Sequence, residues 1–372
     1  MEVHKGIQVR IIPTKSQRES IERHFGHNRF VWNYFLEKRK REYEEEKKTS
    51  SFFKDSAALT LLKQEKDWLY EVSVNSQQRT LKNLDAAYRA FFRKKAKFPN
   101  FKTKSGNQSF SCAANLKIEG NKIYISRFKD GFRFRRKLPE FIDLKNVTIK
   151  KTASGKYYAV LCVVSKVAEL PKTGREVGID LGLTDFAVFS NGSKIKTPKF
   201  FREHENALKK AQKHLDRKKK GSKRRQKQRI KVAKIHEKIA NSRKNFLHNA
   251  SSFTVKHFDF VGLESLAVTN MVKNRKLSKS ISDAGWSEFA RQLSYKGEWY
   301  GKTIVQIGRY FPSSKTCNSC GYLRPKLSLS ERAWKCPTCD LVHDRDLNAS
   351  LNILNEAKKW ERQSSITNLE AA

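Results

Sequence analysis

The sequence predicts an α+β protein of more than one domain, and three observations predict it. Its 372 residues are enough for two or three separate cores. The hydrophobic period changes along the chain, from helical spacing in the first hundred residues to alternation over 109–166. Beyond that, short apolar strands alternate with a long basic helical stretch and a cluster of four cysteines.

The elements follow in chain order. GIQVRIIP alternates as a strand over Ile7–Ile12, which Pro13 stops, and Thr14 is placed to cap a helix. Ile21, Phe25, Trp32, Phe35 and Leu36 give that helix an apolar face, and KRKREYEEEKK gives it a solvated one. A second helix is predicted from Asn75 to Arg93, with Leu81, Leu84, Tyr88, Phe91 and Phe92 inward. Pro99 breaks it in KFPNFKTK. KIYISRF, GFRFRRK, NVTIKKT and KYYAVLCVV then alternate as an antiparallel sheet or barrel, with turns at Gly131 and at Ser154-Gly155. The helices would be inserted after its first strand. Leu170–Gly174 is a linker.

REVGIDLGLTDFAVFSNGSKI reads strand, tight turn, strand, with Asn191-Gly192 closing a hairpin. Residues 203–248 form a basic helical hairpin that turns at Gly221-Ser222. HFDFVGLESL is a buried strand ending in Glu264. A helix carrying Trp286, Phe289 and Leu293 begins near Ser282 or Asp283, and TIVQIGRYF is a further strand. DLNASLNILNEA is a terminal helix, and 361–372 a frayed tail.

Lys and Arg number 78 against 37 Asp and Glu, a formal charge of +41. Such a chain needs a polyanionic partner, and nucleic acid gains most from counterion release. A membrane surface is the rival, but no apolar run approaches the length of a span, and MEVHKGIQVRIIP lacks the core of a signal peptide. Six cysteines, four of them clustered, suit a reducing compartment, hence a cytoplasmic, nucleoid-associated protein. With 38% hydrophobic and 11% aromatic residues, the chain folds rather than remaining a basic tail.

Cys317-x2-Cys320 and Cys336-x2-Cys339 have the spacing of a zinc ribbon, in which four thiolates fill a tetrahedral shell and hold one structural zinc. His343 lies close by, and with the shell already full it is a local contact or a residue on the DNA side. Asp180 interrupts the apolar strand VGIDLG and projects to the face opposite Val177, Ile179 and Leu181. A carboxylate there is costly unless paired or metal-bound. Glu264 ends an apolar strand in the same manner. Asp346 stands where the terminal helix starts, and either it or Asp344 could be the helix cap. Together the three are the carboxylates with which an RNase H-like core would hold two Mg²⁺ across a scissile phosphate. No nucleophile–base pair and no GxxxxGK[ST] loop occurs, so no nucleoside triphosphate is expected.

GIDLG with its hairpin, GLESL, PSSKTCNSCG, CPTC and DRDLNASLNI occur in the order found in the transposon-encoded TnpB (OrfB) proteins, compact relatives of type V CRISPR effectors. KFPNFKTK and SISDAGWSEFARQLSYKGEWYG resemble that family too, so the resemblance spans nearly the whole chain. It implies an RNA-guided DNA endonuclease that binds a guide RNA from the transposon end. Such an enzyme recognises a short motif flanking double-stranded target DNA and cuts at a single RuvC site, as a monomer on one RNA. It implies that Asp180, Glu264 and Asp346 are the three RuvC carboxylates; Asp346 is chosen over Asp344 because Leu347-Asn348-Ala349 follows it. The implied architecture is a wedge barrel over 1–172 (strands about 5–12 and 105–168) with a helical recognition insertion at about 14–100. The RuvC core follows over 173–315, then a zinc ribbon over 316–342 and the last RuvC segment over 343–360. Nucleic-acid contacts would include Gln78, which can pair bidentately with adenine, and Lys82, Lys102, Lys218, Lys219, Arg224 and Arg225. The alternatives are a nuclease of the same core acting without a guide, as a resolvase or transposase, and a non-cleaving RNA-guided regulator.

Overall fold

A computed structural model describes residues 1–328 and 330–370, with side chains as far as Gln363. The chain forms two compact units, residues 2–166 and residues 167 onward, the latter joined by Met1.

In the first unit β1 (Glu2–Ile11) leads through Pro13 into α1 (Lys15–Glu46). Thr14 caps α1 in a reciprocal box with Gln17, satisfying two backbone donors at the helix start. α2 (Phe52–Glu65), a 3₁₀ turn (Asp67–Glu71) and α3 (Val74–Phe92) follow. The sequence reading missed α2, and it began β1 at Ile7 because Glu2–Gly6 carry little hydrophobic signal. Pairing supplies what alternation lacks there: β1 runs against β7 (Tyr157–Lys166) along its whole length, Glu2 opposite Lys166 and Ile11 opposite Tyr157.

Between them come β2 (Gln108–Cys112), β3 (Lys117–Glu119), β4 (Lys122–Ile125), β5 (Phe128–Arg133) and β6 (Asp143–Lys151). The strands make a four-stranded antiparallel sheet, β1-β7-β6-β2, and a three-stranded one, β3-β4-β5, touching through a bridge between Ile11 and Phe134. One core fills both, including Val9, Phe110, Ile123, Phe132, Ile149 and Leu161. The helices have their own core around Phe35, Leu62 and Leu81. Within it, buried Arg39 is neutralised by Asp55 at 2.6 Å and Asp85 at 3.3 Å.

The second unit begins with β8 (Glu176–Leu181), β9 (Asp185–Phe189) and β10 (Lys194–Lys196). The basic hairpin is α4 (Phe200–Asp216) and α5 (Lys223–His257). Then come β11 (Phe260–Leu263), α6 (Val268–Met271), α7 (Ser278–Ala284), α8 (Trp286–Tyr300) and β12 (Thr303–Gln306). β13 (Ala333–Lys335), β14 (Val342–Asp344) and α9 (Arg345–Glu370) complete it.

Five strands form one sheet in the order β10-β9-β8-β11-β12, with β11 parallel to both β8 and β12. Three boundaries differ from those read in the sequence. The helix expected from Ser282 or Asp283 is two helices, broken at Gly285, whose φ of 73° is left-handed. The apolar phase of Ile281 and Ala284 runs on into Trp286 and Phe289 and hides the break. β12 stops at Gln306 rather than running to Phe311, because its partner β11 ends at Leu263. α9 continues to Glu370 in place of a tail from 361; residues 371–372 lie outside the described residues. Among the described residues no helix is long and apolar enough to cross a membrane.

Candidate active site

The site grows from the register of β8 and β11. Ile179 stands opposite Leu263 in the parallel ladder, so the next step sets Asp180 level with Glu264. Glu264 Oε1 accepts the backbone N–H of Leu181 at 3.0 Å, which fixes the carboxylate beside the end of β8. Asp180 shares a face of β8 with Gly178, two residues earlier.

α9 lies on that face. A Cβ built on Gly178 would stand 2.0 Å from the carbonyl oxygen of Ser350 and 2.6 Å from the nitrogen of Leu354; one on Gly262 would stand 2.8 Å from Ala357 Cβ. Only glycine lets the helix come so close. Asp346, one helical turn before Ser350, is thereby carried along the strand from Gly178 toward Asp180. Asp344 starts the helix: its Oδ1 accepts the N–H groups of Asp346 and Leu347, both at 3.0 Å. The cap is therefore Asp344, and the side chain of Asp346 is left for the sheet, with Arg332 3.5 Å away.

Burial, then the charges of Glu264 and Asp346, hold Asp180 well above the usual carboxylate range. Burial pushes Glu264 up to about 7, against the lowering effect of the Leu181 N–H. Glu264 and Asp346 thus act on Asp180 as like charges, which Arg345 and Arg332 offset only in part, and a divalent cation held by hard oxygens would relieve that repulsion. A cleft of about 300 Å³ opens beside Glu264, walled by Ser265, Trp286, Arg291 and Gln306 among others.

The cysteines are drawn together more tightly. All four sulfurs lie within 4.8 Å of one another, the one such metal-capable cluster among the described residues. Cys317 and Cys339 are 3.6 Å apart, as are Cys320 and Cys336. Tetrahedral zinc, with bonds near 2.3 Å, asks for sulfur separations of about 3.8 Å, so the donor set fits. The two knuckles are alike. The Cys317 N–H donates to the carbonyl of Tyr322, and the Cys317 carbonyl accepts from Gly321. In the same way the Cys336 N–H donates to the carbonyl of Leu341, and the Cys336 carbonyl accepts from Asp340. Gly321 and Asp340 sit at φ of 78° and 57°. Buried His343 places Nε2 3.0 Å from Cys317 Sγ and packs its ring on Trp334, a local contact of the cluster.

The expected nucleic-acid residues fall in both units. Gln78 is exposed on α3, whereas neighbouring Gln77 is buried and donates to Leu69. Lys82 is exposed with its ammonium 5.0 Å above the Phe52 ring, and that of Lys102 lies 3.7 Å above Trp32. Lys218, Lys219 and Arg224 project from the hairpin turn. Arg225 does not. Its Nη1 donates to the carbonyls of Leu215 at 2.7 Å and Lys218 at 2.9 Å, satisfying the otherwise unpaired end of α4. Gly178 and Gly262 were missed in the sequence, although glycine inside an apolar strand is a signal of close backbone approach.

The family described as "Probable transposase" (OrfB of IS605 elements) matches residues 159–275, and the "Cas12f1-like, TNB domain" matches 286–353. A "Helix-turn-helix domain" matches 1–48, where the structure has a strand and one continuous helix. A "Putative RNA-guided DNA endonuclease" of Streptomyces pristinaespiralis is 38% identical over 95% of this chain and 89% of that one. The "Putative RNA-guided DNA endonuclease InsQ" of Escherichia coli K12 is 30% identical over 92% of this chain and 89% of its own length. Among solved structures, that of the Cas12f1–sgRNA–target DNA complex is similar in fold, with a TM-score of 0.59 at 13% identity, over 95% of this chain and 99% of that one.

Proposed function

Because the chain belongs to the TnpB (OrfB) family, we propose that it is an RNA-guided DNA endonuclease whose single nuclease site is built by Asp180, Glu264 and Asp346. In this reading the five-stranded sheet with α9 is the RuvC core, the cysteine module is its zinc ribbon, and the first unit is the wedge with a helical recognition insertion. The observation that carries the reading is the side-by-side placement of Asp180 and Glu264, with α9 bringing Asp346 to the same face.

The three carboxylates would hold Mg²⁺ through their hard oxygens. Bound there, the ions would neutralise charge at the scissile phosphate and make an attacking water more acidic. The protein's own part is orientation. The Leu181 N–H directs Glu264, the Asp344 cap directs the first turn of α9, and Arg332 stands near Asp346. The guide RNA comes from the transposon end and reads the target by base pairing. The protein needs only a basic surface to grip the phosphates and a short contact to the flanking motif. Between Arg217 and His236 the hairpin has eleven lysines and arginines and no acid, which suits such a surface.

The test is the full chain with its copurifying RNA, on plasmid targets with a randomised flank. Asp180→Ala should abolish cleavage in Mg²⁺ while guide and target binding persist. Cleavage at an undiminished rate would sink the reading. Cleavage by the unaltered chain stripped of RNA would favour a nuclease acting without a guide.

A further inference from the structure

Two buried asparagines on α9 join the cysteine module to the helix of Asp346. Asn348 and Asn352 are one helical turn apart and face the same way. Asn348 Oδ1 accepts the backbone N–H of Asn318 at 3.0 Å, and its Nδ2 donates to the carbonyls of Thr316 at 2.8 Å and Ser313 at 3.4 Å. Asn352 Nδ2 donates to the same two carbonyls, at 2.6 Å and 2.8 Å. Only 2% of Asn348 and 6% of Asn352 are exposed, so these bonds are made away from water.

Thr316 and Asn318 flank Cys317. The residue whose sulfur belongs to the metal-capable cluster is therefore tied through both chain neighbours to a helix that carries Asp346 two residues before Asn348. The other arm of the module reaches the same helix directly. β14 runs into α9, and the Arg345 N–H donates to the carbonyl of Arg332 at 2.9 Å across the end of the β13–β14 hairpin. His343, the residue before Asp344, stands against Cys317 Sγ. Both knuckles thus converge on the first turn of α9.

The geometry points to Asn348 and Asn352 as positioning residues that transmit the shape of the cysteine cluster to Asp346. The four-thiolate site then serves as a support for the nuclease carboxylates as well as a local staple. The inference rests on the reading of Asp180, Glu264 and Asp346 as the nuclease site. Partners that orient a metal ligand typically change affinity or activity about 10- to 100-fold when removed.

The experiment uses the full chain with its guide RNA and four variants: Asn348→Ala, Asn352→Ala, the double change, and Asp346→Ala. Zinc content is measured by atomic emission, Mn²⁺ binding by paramagnetic resonance, and cleavage as a function of Mg²⁺. The double variant should keep about one zinc per chain and its guide affinity, bind Mn²⁺ about 10-fold more weakly, and need correspondingly more Mg²⁺ for half-maximal cleavage. Asn352→Ala, which leaves the Asn348 bonds in place, should show the same changes in smaller measure. Unchanged Mn²⁺ affinity and Mg²⁺ requirement in all three asparagine variants would overturn the proposal, as would loss of zinc with no change at the carboxylates. Asp346→Ala separates the two levels. If it leaves Mn²⁺ binding intact, the nuclease-site reading falls and the proposal with it; if it weakens binding and the asparagine variants do not, only the proposal falls.

Discussion

Asp344 accepts the backbone N–H of Asp346 at 3.0 Å, so of the two aspartates flanking Arg345 one is consumed in starting the helix, and the other, 3.5 Å from Arg332, is the one proposed for the nuclease site. The two should therefore fail differently. Asp344→Ala should cost about 1 kcal/mol of stability, the usual worth of a helix cap, and slow cleavage in proportion to the fraying of the first turn. Asp346→Ala should leave thermal unfolding nearly unchanged and abolish cleavage. Melting curves and plasmid nicking, run on both variants, check the pair.

Gly178→Ala should be among the most damaging methyl additions in the chain. Its new carbon would meet backbone atoms of Ser350 and Leu354, which cannot rotate away, so α9 must lift. About 3 kcal/mol is expected from overpacking, together with loss of cleavage at unchanged guide binding. Gly6→Ala, which meets nothing within 4 Å, is the control and should be neutral in both denaturant titration and cleavage.

His24 should make the stability of the first unit depend on pH. Fully buried, it stands with Nδ1 2.8 Å from the Ser20 carbonyl and Nε2 3.2 Å from the Ser73 N–H, and it stacks on Phe110. The neutral ring satisfies both neighbours, and a proton on Nε2 would face a donor. Burial accordingly lowers its pKa to about 4 from an ordinary 6.5. The folded value is the lower one, so the stabilisation is complete above pH 6.5 and is lost as pH falls toward 4, to a total of about 3 kcal/mol. Urea midpoints between about pH 7 and pH 4 should show that slope, and His24→Gln should flatten it.

The hairpin residues should separate by salt dependence. Replacing Lys218, Lys219 and Arg224 with glutamine should reduce the slope of log affinity against log salt by roughly 0.7 to 0.9 for each phosphate left unneutralised. Arg225→Gln should change the slope little and lower helix stability, because its guanidinium closes the turn. Filter binding of the guide RNA over a range of salt, with circular dichroism, distinguishes the two effects.

The mixed α and β character and the cysteine cluster are legible in the sequence because each leaves a periodic or spaced trace. Asp180 is conspicuous for the same reason, an acid inside an apolar strand. What escapes leaves no such trace. The break at Gly285 is masked by an apolar face that keeps its phase across it. The first residues of β1 are specified by their pairing with β7 rather than by their own alternation. Arg225 resembles its basic neighbours in composition and differs only in which carbonyls lie within its reach. Asn348 and Asn352 are visible in the motif, but what they hold is brought to them by the fold.

The order of the elements along the chain has a consequence during synthesis. β8 and β11, with the basic hairpin between them, leave the ribosome well before α9, so the nascent protein carries that hairpin before it carries Asp346 or the helix that covers Gly178 and Gly262. On the function proposed above, translation therefore sets a sequence of properties, affinity for nucleic acid first and the capacity to cut it last. A ribosome that stalls before α9 releases a chain that has the basic hairpin, Asp180 and Glu264 but lacks Asp346.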